Sequence, residues 1–302
     1  MNKILVVGSL NMDFVIDVDA KPLAGETVLG KGVALIPGGK GANQAYAVGK
    51  LGGDVRMIGA VGDDIYGKLL KDNLKNAGVK ISGIETVAGV SSGNAFITVD
   101  NKGENCIIVI QGTNALVSKE MIDRHIEMID DCDTVIMQME IPVDVVRYVK
   151  DAAKKRGKRV ILDPAPAREG LSEKFFQGFD IVKPNETELQ TLIGRKLDTK
   201  EELIEGAREL IKKGVDKVIV TLGERGCLFV TEDTYEEFPA EKAQVIDTTA
   251  AGDSFTAAFA TALERGSSYG EAIRFGNKVS GIVVTRKGAQ TSIPTMEEVI
   301  KR

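Results

Sequence analysis

The chain has 302 residues, 43% of them hydrophobic and 27% charged, with a net charge of −5. That is the make-up of a folded protein with ample core, and it excludes a disordered chain. No basic stripe with interleaved aromatics runs through it, which argues against a nucleic-acid partner.

Ile4–Val7 reads as a buried strand at the very start, so no leader peptide is expected. No apolar run is long enough to span a bilayer, so the expected setting is a reducing cytoplasm with no membrane contact. Cys106, Cys132 and Cys227 are scattered and odd in number, which fits neither a disulfide framework nor a metal knuckle. The lone histidine, His125, reads as an ordinary helix residue.

Asn11 and Asp13 follow the first strand, where open α/β sheets hold ligands. A carboxylate and an amide there can grip a polyol, or can simply form a turn. Residues 14–19 and 26–36 read as strands with no helix between them. Gly38-Gly39-Lys40-Gly41-Ala42-Asn43-Gln44-Ala45 then leads into a helix. Its spacing is not that of a Walker A loop. It is either a glycine-rich turn or a pocket in which backbone N–H groups and Asn43 bind hydroxyls.

Val55–Ala60 reads as a strand. Asp63-Asp64 can cap a helix with the stripe Ile65, Leu69, Leu70 and Leu74, stopped by Gly78. Residues 94–99 and 104–110 flank a hairpin turn at Asp100–Gly103. The four helix-free strands predict a small sheet outside the main body. Its leftover apolar face, with Phe14, Ile16 and Val18 as candidates, is expected to pair with a second subunit.

Further strands are expected at Thr134–Met137, Val160–Leu162, Ile181–Val182 and Val218–Thr221, with helices at 143–156 and 199–213. Glu140 sits just after one of these strands. Asn185-Glu186-Thr187-Glu188 begins a helix, either as an acidic cap or as a cluster near nucleotide phosphates. Thr221–Gly226 is a hairpin turn or a nucleotide contact. The alternation predicts one α/β domain over 1–302, built on a mostly parallel sheet covered on both faces, with insertions at about 12–37 and 93–111.

The strongest string is Asp247-Thr248-Thr249-Ala250-Ala251-Gly252-Asp253-Ser254, followed by an apolar helix. Small residues let a ligand approach the backbone, and a helix start offers unpaired N–H groups to an anion. Asp253 can cap that helix, or can take a proton from a hydroxyl while the N–H groups steady a phosphoryl group. Spacing leaves both open.

Together with Gly8-Ser9-Leu10-Asn11-Met12-Asp13 and Val284–Gln290, these strings resemble the ribokinase family of sugar and nucleoside kinases over essentially the whole chain. The resemblance implies a central sheet flanked by helices with a small β-sheet lid. It implies ATP-dependent phosphorylation of D-ribose at O5, with Asp253 as general base and Ala250, Ala251 and Gly252 as anion hole. Asn11, Met12, Asp13, Gly39, Lys40, Gly41, Asn43 and Glu140 match the sugar site. Asn185, Thr221, Gly223, Glu224, Gly226, Gly252 and Asn277 match nucleotide contacts. Glu188 matches the residue that organises Mg²⁺ through water. Asp247, Thr249, Val283, Arg286, Gly288 and Ser292 match a K⁺ site, several of them through carbonyls alone. The lid implies a homodimer.

Sister activities on deoxyribose, fructose, a ketodeoxy sugar acid or a nucleoside fit the same pattern. A non-catalytic sensor is disfavoured, because it has no use for Asp253. A dinucleotide-dependent dehydrogenase is disfavoured because no G-x-G-x-x-G follows the first strand.

Overall fold

The structure is a computed structural model and describes residues 3–302. Thirteen strands occur among these residues. They are β1 (Lys3–Val7), β2 (Asn11–Val18), β3 (Gly30–Gly38), β4 (Asp54–Gly62), β5 (Lys80–Val87), β6 (Gly93–Val99) and β7 (Asn105–Ile110), followed by β8 (Thr134–Met137), β9 (Arg159–Leu162), β10 (Ile181–Val182), β11 (Lys217–Thr221), β12 (Cys227–Val230) and β13 (Tyr235–Phe238).

Nine of them form one sheet in the order β13-β12-β11-β10-β9-β8-β1-β4-β5. From β11 to β5 every pairing is parallel, and β12 and β13 add an antiparallel edge. Period-2 alternation divides the core between the two faces. Leu5 and Val7 pack on one side with Val135 and Met137, while Ile4 and Val6 pack on the other with Ile136. Helices cover both faces, as near-continuous apolar strands require. Several start at capping boxes that are legible in sequence: Thr199 with Glu202, Ser268 with Glu271, and Thr295 with Glu298.

Strand β5 lies outside the elements expected from sequence. It is an edge strand with little beyond Gly83 and Ile84 buried, so its hydrophobic signal is weak. The helix Ile65–Asn76 exists and is capped by Asp64, but its buried stripe is Gly67, Leu70 and Leu74. Ile65 is 69% exposed and Leu69 45% exposed, so both face solvent. His125 sits at the junction of two short helices, with Nε2 3.2 Å from Glu85 Oε1.

The remaining strands form a separate four-stranded sheet, β3-β2-β6-β7. Its two hairpin pairings are antiparallel, and β2 joins β6 in parallel. Asn11 and Asp13 belong to β2 and not to a loop, while residues 26–29 precede β3. Alternation places Asn11 and Asp13 on one face and Met12 and Phe14 on the other. Phe14 stacks on Phe96 at 4.9 Å and meets Tyr66 of the body edge-on at 5.5 Å. Val18 is buried. Within the chain Phe14 is thus partly covered and Val18 fully, while Ile16 keeps part of its surface exposed. The exposed apolar side chains of this sheet are Val33 and Leu35 on β3 and Ile107–Ile110 on β7.

Candidate active site

The C-terminal ends of the parallel strands meet the start of the helix Ala251–Glu264. Ala250 caps that helix in the left-handed region, φ 60°, the one non-glycine residue at positive φ among those described. This turn aims the first amides outward. Ala251 N donates to Thr248 O at 3.2 Å and Ser254 N to Ala250 O at 2.8 Å. Among the described residues, the amides of Ala250, Gly252 and Asp253 have no backbone acceptor. A Cβ added at Gly252 would meet only Lys183 Nζ, at 3.5 Å. The protein itself does not need glycine there, so the open space is a cradle for something else.

Asp253 lies in the first helical turn, 5% exposed. Its Oδ2 accepts from Asn43 Nδ2 at 2.9 Å and its Oδ1 from Gln44 Nε2 at 3.0 Å. Burial raises its pKa above the usual carboxylate range, and Asp163 adds to this, against the pull of Lys40 and the two amides. The Asp253 side chain makes no cap to its own helix. The capping alternative drops out, and a buried, oriented carboxylate beside free amides remains.

Asn43 and Gln44 come from the helix Lys40–Lys50. The glycines before them serve close packing: a Cβ on Gly41 would stand 2.6 Å from Ser9 N, and one on Gly39 would stand 2.8 Å from Asn11 N. Lys40 N donates to Glu140 Oε2 at 2.9 Å, and Ser9 Oγ donates to the same oxygen. Burial raises the pKa of Glu140. Asp13 is pushed up to about 7, by burial first and then by Glu140 and Asp253. For Lys40, burial alone would lower the pKa, but Asp253, Asp163, Glu140 and Glu188 carry it well upward. Asn11 is buried, and its Oδ1 accepts from Asn114 Nδ2 at 2.7 Å. The structure thus gathers Asn11, Asp13, Lys40, Asn43, Glu140 and Asp253 into one polar pocket. Met12 does not join them; its side chain lies in the core.

A cleft of about 840 Å³ opens from Asp253 across the sheet ends. Asn185, Thr221, Gly223, Glu224, Gly226, Gly252 and Asn277 all line it. Asn185 forms a capping box with Glu188, so the cap and the cleft-lining position coexist. Asn277 Nδ2 is tied to Pro239 O at 3.1 Å. Glu188 also faces the cleft. Burial and Asp163 raise its pKa, against Lys183 and the Asn185 amide. No cluster of three metal-ligating side chains exists among the described residues. The cleft-facing carboxylate of Glu188 is the kind of donor that a Mg²⁺ held chiefly by water and phosphate takes from protein, since it needs only one or two such groups.

Asp247 Oδ1 accepts from Thr249 N at 2.9 Å and from Thr249 Oγ1 at 2.6 Å, and Oδ2 accepts from Gly288 N at 2.8 Å. Burial pushes this carboxyl up, but these donors bring it below its ordinary value. Asp247 therefore joins the loop before Asp253 to the 283–292 segment as a stable anion. A carboxylate with nearby carbonyls suits a hard monovalent cation. Arg286 turns its guanidinium to Glu298, 2.9 Å away, and Ser292 Oγ donates to Ala289 O at 2.7 Å. Arg286 also donates from its backbone N to Val283 O at 3.0 Å and from Nη1 to Ser292 O at 3.5 Å, so these two carbonyls already carry one partner each.

Three buried residues of the site lay outside the sequence-based set. Asp163 follows β9, Lys183 follows β10, and Gln44 sits within the glycine-rich string. Lys183 Nζ is 3.3 Å from Asp163 Oδ2. The rule that strand C-terminal ends carry ligands was the available signal for the first two.

A model of the pfkB family carbohydrate kinases matches residues 1–296. Ribokinase of Haemophilus influenzae is 39% identical over 296 residues, covering 98% of this chain and 96% of the relative. Deoxyribokinase of Salmonella typhi is 36% identical over 295 residues, with the same coverage. The structure of Arabidopsis thaliana ribokinase complexed with ribose and ATP superposes with a TM-score of 0.94 at 34% identity, covering 99% of this chain and 98% of that one.

Proposed function

The chain belongs to the pfkB family of carbohydrate kinases, and from that premise we propose that it transfers the γ-phosphoryl group of ATP to O5 of D-ribose, giving ribose 5-phosphate. One observation carries the reading: the buried Asp253 carboxylate stands beside unpaired helix amides, between a polyol-binding pocket and a nucleotide-sized cleft.

In this reading Asn11, Asp13, Asn43 and Glu140 hold the sugar hydroxyls. Asp253 accepts the proton of the attacking hydroxyl, and the amides of Ala250–Asp253 receive the charge of the transferring phosphoryl group. Lys40 and Lys183, which both line the cleft, offset phosphate charge. Glu188 would organise Mg²⁺, which supplies charge neutralisation at the phosphates. Asp247 and the carbonyls of the 283–292 segment would hold K⁺, which stiffens the anion hole without touching substrate. Turnover should then fall in K⁺-free buffer with little change in sugar affinity.

The β3-β2-β6-β7 sheet acts as a lid. It carries Asn11 and Asp13, so sugar contact and closure are tied together, and closure excludes water from the phosphoryl group. Val33, Leu35 and Ile107–Ile110 are the surface that a second subunit would cover. Solution scattering with and without ribose tests both lid and dimer. Among the described residues no helix is long and apolar enough to cross a membrane.

The Salmonella relative favours 2-deoxyribose as the second reading. A sugar panel with ATP and Mg²⁺, with product position read by nuclear magnetic resonance, decides between them. Phosphorylation of no sugar would remove the proposal.

A further inference from the structure

We infer that Gln44 is a positioning residue for phosphoryl transfer, its single amide nitrogen holding the base Asp253 and the cleft carboxylate Asp163 in fixed register. The inference rests on the kinase reading above and deepens it. Gln44 is fully buried. Its Nε2 donates to Asp253 Oδ1 at 3.0 Å and to Asp163 Oδ2 at 3.0 Å. An NH₂ group has two hydrogens, and here each goes to one of two carboxylates.

The amide cannot turn over. Its Oε1 accepts from Gln138 Nε2 at 2.6 Å, and a flip would set NH₂ against NH₂ and carbonyl against carboxylate. Gln138 keeps this orientation although its own Oε1 finds no partner among the described residues. A buried group is left unsatisfied while the Gln44 contact is made, so that contact dictates the arrangement.

Beyond Asp163 the chain of contacts reaches Lys183 at 3.3 Å and Thr256 Oγ1 at 3.4 Å. Gln44 thus links the proton-accepting side of the site to the cation in the phosphate cleft. The charged groups acting on Asp253 are Lys40 from the same helix as Gln44, Asp163 after β9, Glu140 after β8 and Asp13 of β2. Three of the four are carboxylates, which favour protonating the base. Without the amide, Asp163 and Asp253 would face each other unbridged, and the Asp163 charge would favour protonation of Asp253 more strongly.

Gln44→Met keeps length and removes the donor. The expected result is a kcat lower by roughly 10–100-fold, since a slightly misplaced base costs that much. The ribose KM should change less than threefold, and the acid limb of kcat should move to higher pH. Gln138→Met leaves both carboxylates untouched and frees only the amide's orientation, so kcat should fall several-fold in the same sense. Titration of the Asp253 carboxyl by nuclear magnetic resonance gives a sugar-free readout, and should move upward in both variants. A kcat within threefold of wild type, or a kcat loss with an unmoved titration, overturns the inference. If Gln44→Met does not fold, Gln138→Met decides by the same two readouts. If the wild type phosphorylates no sugar, the kinase reading fails by itself and the titration alone decides this one.

Discussion

Asn114 Nδ2 donates to Asn11 Oδ1 at 2.7 Å, while the same Asn114 side chain grips both Leu10 N, at 2.9 Å, and Leu10 O, at 3.1 Å. One residue from the far side of β7 thereby fixes the backbone entering β2 and the rotamer of Asn11. With its oxygen taken, Asn11 has its Nδ2 left for a ligand. Asn114→Ala should raise the ribose KM by roughly 3–10-fold, about one hydrogen bond's worth, with the ATP KM unchanged. Steady-state kinetics with each substrate varied checks this. Equal shifts in both KM values would mean a general loosening.

Asp253→Asn retains shape and hydrogen-bonding size but cannot accept the proton. Its kcat should fall roughly 10²–10⁴-fold while ribose still binds. In the wild type the base must be ionised, and burial holds its pKa up. Activity should therefore disappear with falling pH above the ordinary carboxylate range. The pH profile of kcat and calorimetric ribose binding to the variant check the two halves separately.

Gly252→Ala separates ligand space from protein packing. An alanine Cβ there touches only the end of Lys183, and alanine favours a helix by about 1 kcal/mol over glycine. The variant should melt no lower than wild type, yet lose at least roughly tenfold in turnover, because the methyl group enters the anion cradle. Thermal unfolding and kcat measured on one preparation check it. A fully active variant would mean that phosphate does not approach this amide.

Asp13 gives a pH dependence of known sign. Its carboxyl rises from an ordinary 3.8 to about 7 in the folded, sugar-free protein. A raised folded-state pKa means stability that is present below about pH 4 and lost as pH climbs to about 7. Asp13→Asn should thus melt above wild type at pH 8, with the gap closing towards pH 4. Ribose hydroxyls favour the ionised form, so wild-type ribose affinity should strengthen from pH 6 to 8 and stay flat in the variant. Melting curves and titrations at three pH values check both.

Sequence revealed the elements whose signals are local. The β8 and β10 runs match the strands residue for residue, because both are buried apolar segments bounded by polar residues. Asp64 caps its helix as expected from its place before the apolar run. What sequence missed depends on the fold around an element. Leu69 looks like core by periodicity, yet the helix turns Gly67 inward instead, close under Gly62 O. Phe14 looks free for a partner in sequence, but Phe96 and Tyr66, distant along the chain, already cover part of it. Gln44, Asp163 and Lys183 come from three separate segments, so their meeting is invisible until the sheet brings the strand ends together.

Asn11 and Asp13 are carried by β2 of the small sheet, and Asp253 by a helix of the main body. In the proposed reading, part of the grip on the sugar therefore rides on a different piece of scaffold from the base, joined to it through Leu10 and the Gly38-Gly39 step. In the same reading, substitutions along β2 and the facing positions of β3, Asp13 excepted because its carboxylate acts on Asp253, can retune which polyol is accepted while leaving the base in place. A lineage can drift between related sugars in small steps on such a framework, each intermediate keeping a working phosphoryl-transfer centre.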